Sequence, residues 1–159
     1  METKKILFVI TQSEFGGAQR FLYNLISRLN SSNYDIKVAI GDAGNMEFTQ
    51  ALRAINIPTS ELKLLVREMN PLKDMQAVFE LRKLINDFNP DILFLISSKA
   101  GFIGSLALRQ AQGKPFDKTQ GEQPKTKVIY RIGGWSFNDP WPKWKKWLWI
   151  ILDRFSAQW

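Results

Sequence analysis

Short apolar runs and longer amphipathic stripes alternate along this chain. Residues 6–11 form a continuous apolar run closed by Thr11, the pattern of a strand buried on both faces. Gly16 and Gly17 interrupt it, and Ala18, Phe21, Leu22, Leu25 and Leu29 then recur at helical spacing. Residues 36–40 predict a second strand, ending at the loop-forming Gly41-Asp42-Ala43-Gly44. Phe48, Leu52 and Ile55 mark a short helix. Residues 57–65 predict a weaker strand, because Pro58 restricts its start. Pro71 suits the first turn of a helix whose stripe runs Met75, Val78, Leu81, Ile85, Phe88. Asn89-Pro90 ends that helix, since the residue before proline leaves the helical region. Residues 91–96 predict another buried strand, and Ser97-Ser98 can cap a helix over residues 99–110. A last strand over 127–132 meets Gly133-Gly134, and a last helix starts near Lys143.

Strictly alternating strands and helices predict an α/β fold, a doubly wound parallel sheet in one Rossmann-like domain over residues 1–159. Residues 111–126 stand apart. They are polar, rich in Gly, Gln, Lys and Pro, and carry too little apolar surface to bury, which predicts a flexible low-complexity insertion.

Composition narrows the chemistry. The chain has 159 residues, 45% of them hydrophobic, enough for one substantial core but too few for two Rossmann-type domains. It contains no Cys, which excludes disulfides and thiol nucleophiles and fits a reducing, cytoplasmic setting. It contains no His, which excludes a histidine base and a Ser-His-Asp triad within the chain. No catalytic residue, metal site or cofactor is expected. No run approaches the roughly 18 apolar residues of a membrane span. The 22 basic and 15 acidic residues give a net charge of +7, which favours anionic partners. No helix-turn-helix, zinc or RNA-recognition signature accompanies that charge, so nucleic acid is not an expected partner.

Ligands of open parallel sheets bind beyond the carboxyl ends of the strands, and three such ends carry polar or permissive residues. The first holds Gly16, Gly17, Gln19 and Arg20. Its glycines admit a close ligand, and the helix behind them offers amide donors to an anion. It is neither G-x-G-x-x-G nor a P-loop, and a Gly-Gly turn also serves as a plain tight connection. The second holds Ser97, Ser98 and Lys99, an anion seat or simply a capped helix with a solvated lysine. The third holds Arg131, Gly133, Gly134, Trp135 and Phe137, where the cation could meet a phosphate or carboxylate and the rings could stack on a sugar or join the core. Farther on, Lys143, Trp144, Lys145, Lys146 and Trp147 open the last helix. Cations there oppose the helix dipole, and tryptophans interleaved with lysines suit an anionic membrane surface. The other reading is a helix packed on the sheet with some rings left bare.

The ordered loops resemble those of family 4 glycosyltransferases. KILFVITQSEFGGAQRFLYNLISRLN resembles the family's opening strand and GGA[EQ]R-like turn. PDILFLISSKAGFIGSLALR resembles its PD-strand and SSKAG-type helix start, and KVIYRIGGWSF its HGW-x-F type loop. The resemblance implies one half of a GT-B fold, binding the acceptor and lining one wall of an inter-domain cleft. It matches Gly16 and Gly17 to the glycine loop near the donor diphosphate or the acceptor, Ser98 and Lys99 to the helix start near the acceptor, and Gly133, Gly134 and Trp135 to the loop facing the reacting sugar. Gly133 stands where many members have histidine, and Phe94 and Ile96 where others carry histidines on the PD-strand. The family's second domain, with its basic pair and E-x7-E glutamates, is not found in these residues.

These features predict the acceptor-side half of an enzyme that moves a hexosyl group from a nucleotide-sugar donor to a lipid-linked or cell-envelope glycan. The half would be inactive without the donor-binding domain or a separate C-terminal catalytic half, and peripheral on the inner face of the membrane. The alternatives are a non-catalytic acceptor or membrane adaptor, and a sugar-nucleotide epimerase, which shares the two-domain architecture.

Overall fold

A computed structural model describes residues 3–30, 32–41, 46–112, 126–133 and 142–156. The elements follow the expected alternation: β1 Lys4–Ile10, α1 Gly17–Ile26, β2 Tyr34–Gly41, α2 Glu47–Ala54, β3 Thr59–Leu62, α3 Pro71–Phe88, β4 Ile92–Ile96, α4 Ser98–Ala111, β5 Lys127–Arg131 and α5 Lys143–Ser156. The five strands pair in parallel in the order β3-β2-β1-β4-β5. This is the doubly wound, Rossmann-like α/β fold that the alternation predicts. The expected insertion falls mostly on residues 113–125, outside the described residues.

Side chains alternate between the two faces of a strand, and two cores result. Ile6, Phe8 and Ile10 join Ile36, Val38 and Ile40 under Leu22, Ile26, Phe48 and Leu52 of α1 and α2. Leu7 and Val9 join Ala39, Leu93 and Leu95 under α3 and α4. Helix α5 packs against α4. Strand β1 is buried on both faces, which is why its sequence reads as an unbroken apolar run rather than an alternation.

Two expectations need correction. The strand expected over residues 57–65 shrinks to Thr59–Leu62. The chain turns after it through a Leu65 N–H to Leu62 carbonyl bond of 3.1 Å, and Leu65 is fully buried beyond the strand. Met75 does not belong to the core: it is 56% exposed. The buried stripe of α3 is Ala77, Val78, Leu81, Ile85 and Phe88. At 100° per residue, position 74 continues that stripe upward and position 75 does not. The stripe therefore places Asp74, not Met75, against the neighbouring helix.

Glycines set the spacing of the layers. A Cβ at Gly104 of α4 would lie 2.3 Å from Leu95 Cδ2, and one at Gly101 would lie 2.5 Å from the Tyr130 ring. At Gly41 a Cβ would meet the Leu65 carbonyl oxygen at 2.2 Å and that of Thr11 at 2.4 Å. The backbone after β3 therefore crosses directly over the carboxyl end of β2. At the other edge Asp91 accepts from the Lys5 N–H at 2.9 Å, and its carbonyl accepts from the Lys127 N–H at 2.8 Å, joining the starts of β1, β4 and β5.

Replacing Gly104 with Ala should cost about 1–3 kcal/mol through overpacking. Gly41→Ala should cost more, because two carbonyls rather than one flexible side chain must move. Urea midpoints of the two variants against the parent check this order.

Candidate functional site

All five strands run the same way, so every loop leaving a carboxyl end lies along one rim. Strand order reverses between β1 and β4, the switch point where the outgoing chains diverge and leave a crevice. Thr11 follows β1 and Ser97 follows β4, and their hydroxyl oxygens stand 2.5 Å apart. Ser97 Oγ also accepts from the Ala100 N–H at 3.1 Å, capping α4. The Ser97 backbone is at φ 119°, ψ 155°, a region that essentially belongs to glycine and costs a serine roughly 1–3 kcal/mol. The cap and the contact with Thr11 hold it there.

Gly16 and Gly17 lie exposed at the start of α1, and Gly16 at the N-cap has no side chain to cap that helix. Gln19 is buried, and its Nε2 donates to the Gln12 carbonyl at 2.8 Å, tying the glycine loop back onto the helix. Arg20 is exposed, with its guanidinium 5.8 Å from the Phe15 ring.

Ser98 and Lys99 lie at the second strand end, but both are buried. The Lys99 ammonium is 2.7 Å from Asp74 Oδ1 and donates to the Glu68 carbonyl. It approaches the carboxylate without the alignment of a hydrogen bond, as Oδ1 makes no hydrogen bond. The solvated lysine weighed in the sequence is therefore not what the fold builds. Lys99 turns inward and clamps the loop after β3 to the start of α3, itself capped by Asn70, which accepts from the Lys73 N–H.

At the third strand end Arg131 pairs in register with Ile96, which pairs with Ile10, which pairs with Ile40. Neighbours in parallel register point to one face, so Arg131 extends a row of three isoleucines beneath α1 and α2. Its guanidinium carbon lies 3.8 Å from the centre of the Phe21 ring on α1. A Cβ at Gly133 would lie 2.9 Å from Arg131 Nη1. Gly134, Trp135 and Phe137 lie outside the described residues. On α5, Lys143, Trp144 and Trp147 are exposed, Lys146 is half-exposed, and the side chain of Lys145 is not described.

Sequence reasoning passed over Thr11 as the end of an apolar run and read Phe21 as core. Both lie at the rim. The available signal was position: Thr11 and Ser97 are the first polar residues after adjacent parallel runs. Among the described residues no three His, Cys, Asp or Glu side chains could hold a metal ion. A 460 Å³ groove lies at the opposite edge, lined by residues including Tyr34, Asp35, Ile55 and Ile57, away from the rim.

The sheet order and the strand ends gathered at its switch point define a Rossmann-like α/β domain. The model of Glycosyltransferase Family 4 matches residues 15–158, and the chain belongs to that family. It is 27% identical over 156 residues to the UDP-Gal:α-D-GlcNAc-diphosphoundecaprenol α-1,3-galactosyltransferase of Escherichia coli. That match covers 97% of this chain and 36% of the relative, so the chain spans about a third of the relative's length. Among solved structures, a protein described as a UDP-N-acetylglucosamine 2-epimerase from Listeria monocytogenes superposes with a TM-score of 0.64 at 13% identity, covering 98% of this chain and 37% of its own. The lipopolysaccharide outer core galactosyltransferase WaaB superposes with a TM-score of 0.53 at 18% identity, covering 79% of this chain and 32% of its own. These likenesses establish the fold; the family match sets the chain among glycosyltransferases.

Two results should follow from this geometry. Ser97→Ala should cost about 2 kcal/mol, because it removes the cap and keeps the strained backbone, whereas Ser97→Gly should cost less because glycine relaxes there. Asp74→Asn should cost about 3 kcal/mol by leaving the buried Lys99 ammonium uncompensated, and replacing both partners with apolar residues of similar size should recover most of the loss. Chemical denaturation of the four variants reads each difference.

Proposed function

We propose that this domain is the acceptor-binding wall of a glycosyltransferase that moves a hexosyl group from a nucleotide sugar to a lipid-linked or cell-envelope glycan. The observation that carries the reading is that the strand ends of β1, β4 and β5 lie side by side along one rim of the sheet. A rim of that shape needs a facing surface to become a closed site. The donor's diphosphate and ribose would be gripped by that facing domain, which would supply the electrostatic stabilisation of the leaving group. The glycine loop, Arg131, Gly133, Gly134 and Trp135 would border the acceptor, with the buried Ser98 lying behind them. Lys99 would act from behind, by fixing the loop after β3. The name of the Escherichia coli relative, a galactosyltransferase acting on a sugar diphosphate lipid, supports a lipid-linked acceptor and UDP-galactose as the first donor to try.

Helix α5 supports the same reading from another side. Trp144 and Trp147 are 64% and 67% exposed, and Ile150 and Ile151 are each 39% exposed. These four share a face at helical spacing, with the exposed Lys143 and Arg154 on the same face at its two ends. Among the described residues no helix is long and apolar enough to cross a membrane. An apolar stripe edged by cations would lie in the headgroup layer of an anionic bilayer and bring the rim to a lipid-borne acceptor.

Three measurements test this. A water-soluble analogue of a sugar diphosphate lipid, titrated into the isotope-labelled chain, should shift amide signals of residues 11–20, 97–99 and 131–133. Shifts confined to the groove around Tyr34 and Ile57, or no shifts, would overturn the acceptor assignment. Acceptor binding without turnover, after a donor domain is supplied in trans with UDP-galactose, would identify an adaptor instead. In flotation with anionic vesicles, changing Lys143, Lys145 and Lys146 to Glu should reduce bound protein at least fivefold. Equal flotation of parent and variant would remove the membrane contact.

A further inference from the structure

From Arg131, Phe21 and Gly133 we infer an oxyanion clamp at the rim: a guanidinium seated over an aromatic ring, whose remaining N–H donors would take a phosphate or diphosphate group. This rests on the reading of the rim as ligand-facing and adds the group that recognises the anion, together with two residues that position it.

Three observations converge. Arg131 occupies the fourth place in the lateral row Ile40, Ile10, Ile96, where the face beneath the helices calls for an apolar side chain. A cation placed there, half-buried, loses much of its hydration. Among the described residues its guanidinium has no carboxylate within ion-pair distance. Its partner is instead the face of Phe21 at 3.8 Å. Stacking on a ring uses the flat face of a guanidinium and leaves its in-plane N–H donors available. That donor fork matches two oxygens of a phosphate.

Gly133 completes the arrangement. A Cβ there would lie 2.9 Å from Nη1 and 3.8 Å from Cζ of Arg131, so only a glycine leaves the guanidinium its present place. The atom displaced would be the end of a flexible side chain, so Gly133→Ala moves the cation without disturbing the core. Phe21 is also explained. It lies on the apolar stripe of α1, yet it is half-exposed because its ring faces Arg131 rather than the sheet interior. Arg131 is thus the anion-contacting residue, and Phe21 and Gly133 are positioning residues.

The test uses inorganic pyrophosphate titrated into the full chain by calorimetry and amide shift mapping, with urea midpoints as the control for folding. Saturable binding that shifts residues 131–133 and the Phe21 ring is expected. Arg131→Gln should weaken it at least tenfold. Arg131→Lys should recover less than half of that loss on a logarithmic scale, because an ammonium has no fork. Phe21→Leu and Gly133→Ala should each weaken binding at least threefold at an unchanged midpoint, while Phe21→Tyr should stay near the parent. Lys127→Gln, at the other end of β5, should bind as the parent. Absence of saturable binding, equal binding by Arg131→Gln, or full recovery by Arg131→Lys would overturn the clamp.

Two further ligands separate the sources of the anion. UDP carries the diphosphate of a donor, and N-acetylglucosaminyl diphosphate with a short alkyl chain carries that of a lipid-linked acceptor. Whichever loses more affinity in Arg131→Gln is the one the clamp serves. If pyrophosphate binding depends on Arg131 while the acceptor analogue leaves the rim unshifted, the clamp stands and the acceptor reading falls.

Discussion

Ile6–Ile10 of β1 pairs on both sides at once, with residues 36–40 on one edge and 92–96 on the other, all in parallel. Because every strand runs the same way, every strand end is a loop at the same rim. Because β1 lies at the centre of the order, the chain leaves its two neighbours toward opposite faces. The first two helices cover one side and α3 and α4 the other, and Thr11 and Ser97 meet at the rim where that division falls. The hydrophobic row that holds β1 in place thus also decides where polar chemistry can gather.

That rim is supported from behind by groups that never need to touch a ligand. Lys99 and Asp74 connect the starts of α4 and α3 and hold the loop after β3 through the Glu68 carbonyl. Gly41 lets the same loop cross the end of β2 in van der Waals contact. Gln19 ties the glycine loop to α1. Desolvating a lysine is costly, and the cost is offset only where the geometry of its partners is good. The arrangement makes sense as a means of fixing loops that would otherwise move, so that the groups facing outward hold their positions.

The rim divides by chemistry as well as by position. Hydroxyl groups sit at the switch point, glycines border α1, and the guanidinium of Arg131 stands on β5. Helix α5 packs on α4, away from the sheet face that Arg131 shares with α1, and offers an apolar, cation-edged surface to the outside. The rim and the exposed surface of α5 therefore occupy different faces of one layered domain.

Much of this was legible in the one-dimensional pattern. The alternation of runs and stripes was enough for the parallel sheet, because burial on both faces erases the polar positions of a strand and leaves helices as the only amphipathic segments. Asn89-Pro90, Pro71 and Ser97 marked helix ends through backbone rules that act over a few residues. Position 74 shows where the pattern stopped: an apolar Met75 drew the stripe one residue astray, since only the packed helix decides which side faces α4. Lys99 likewise reads as a surface cation until the fold brings Asp74 to it across 25 positions of sequence. Phe21 and Arg131 are 110 positions apart, and nothing local to either announces the contact. Sequence determines what each segment must bury, because that depends on neighbours within a turn or a strand. Which charges find partners, and which are left to meet a ligand, depends on distances between segments that exist only once the sheet has closed its register.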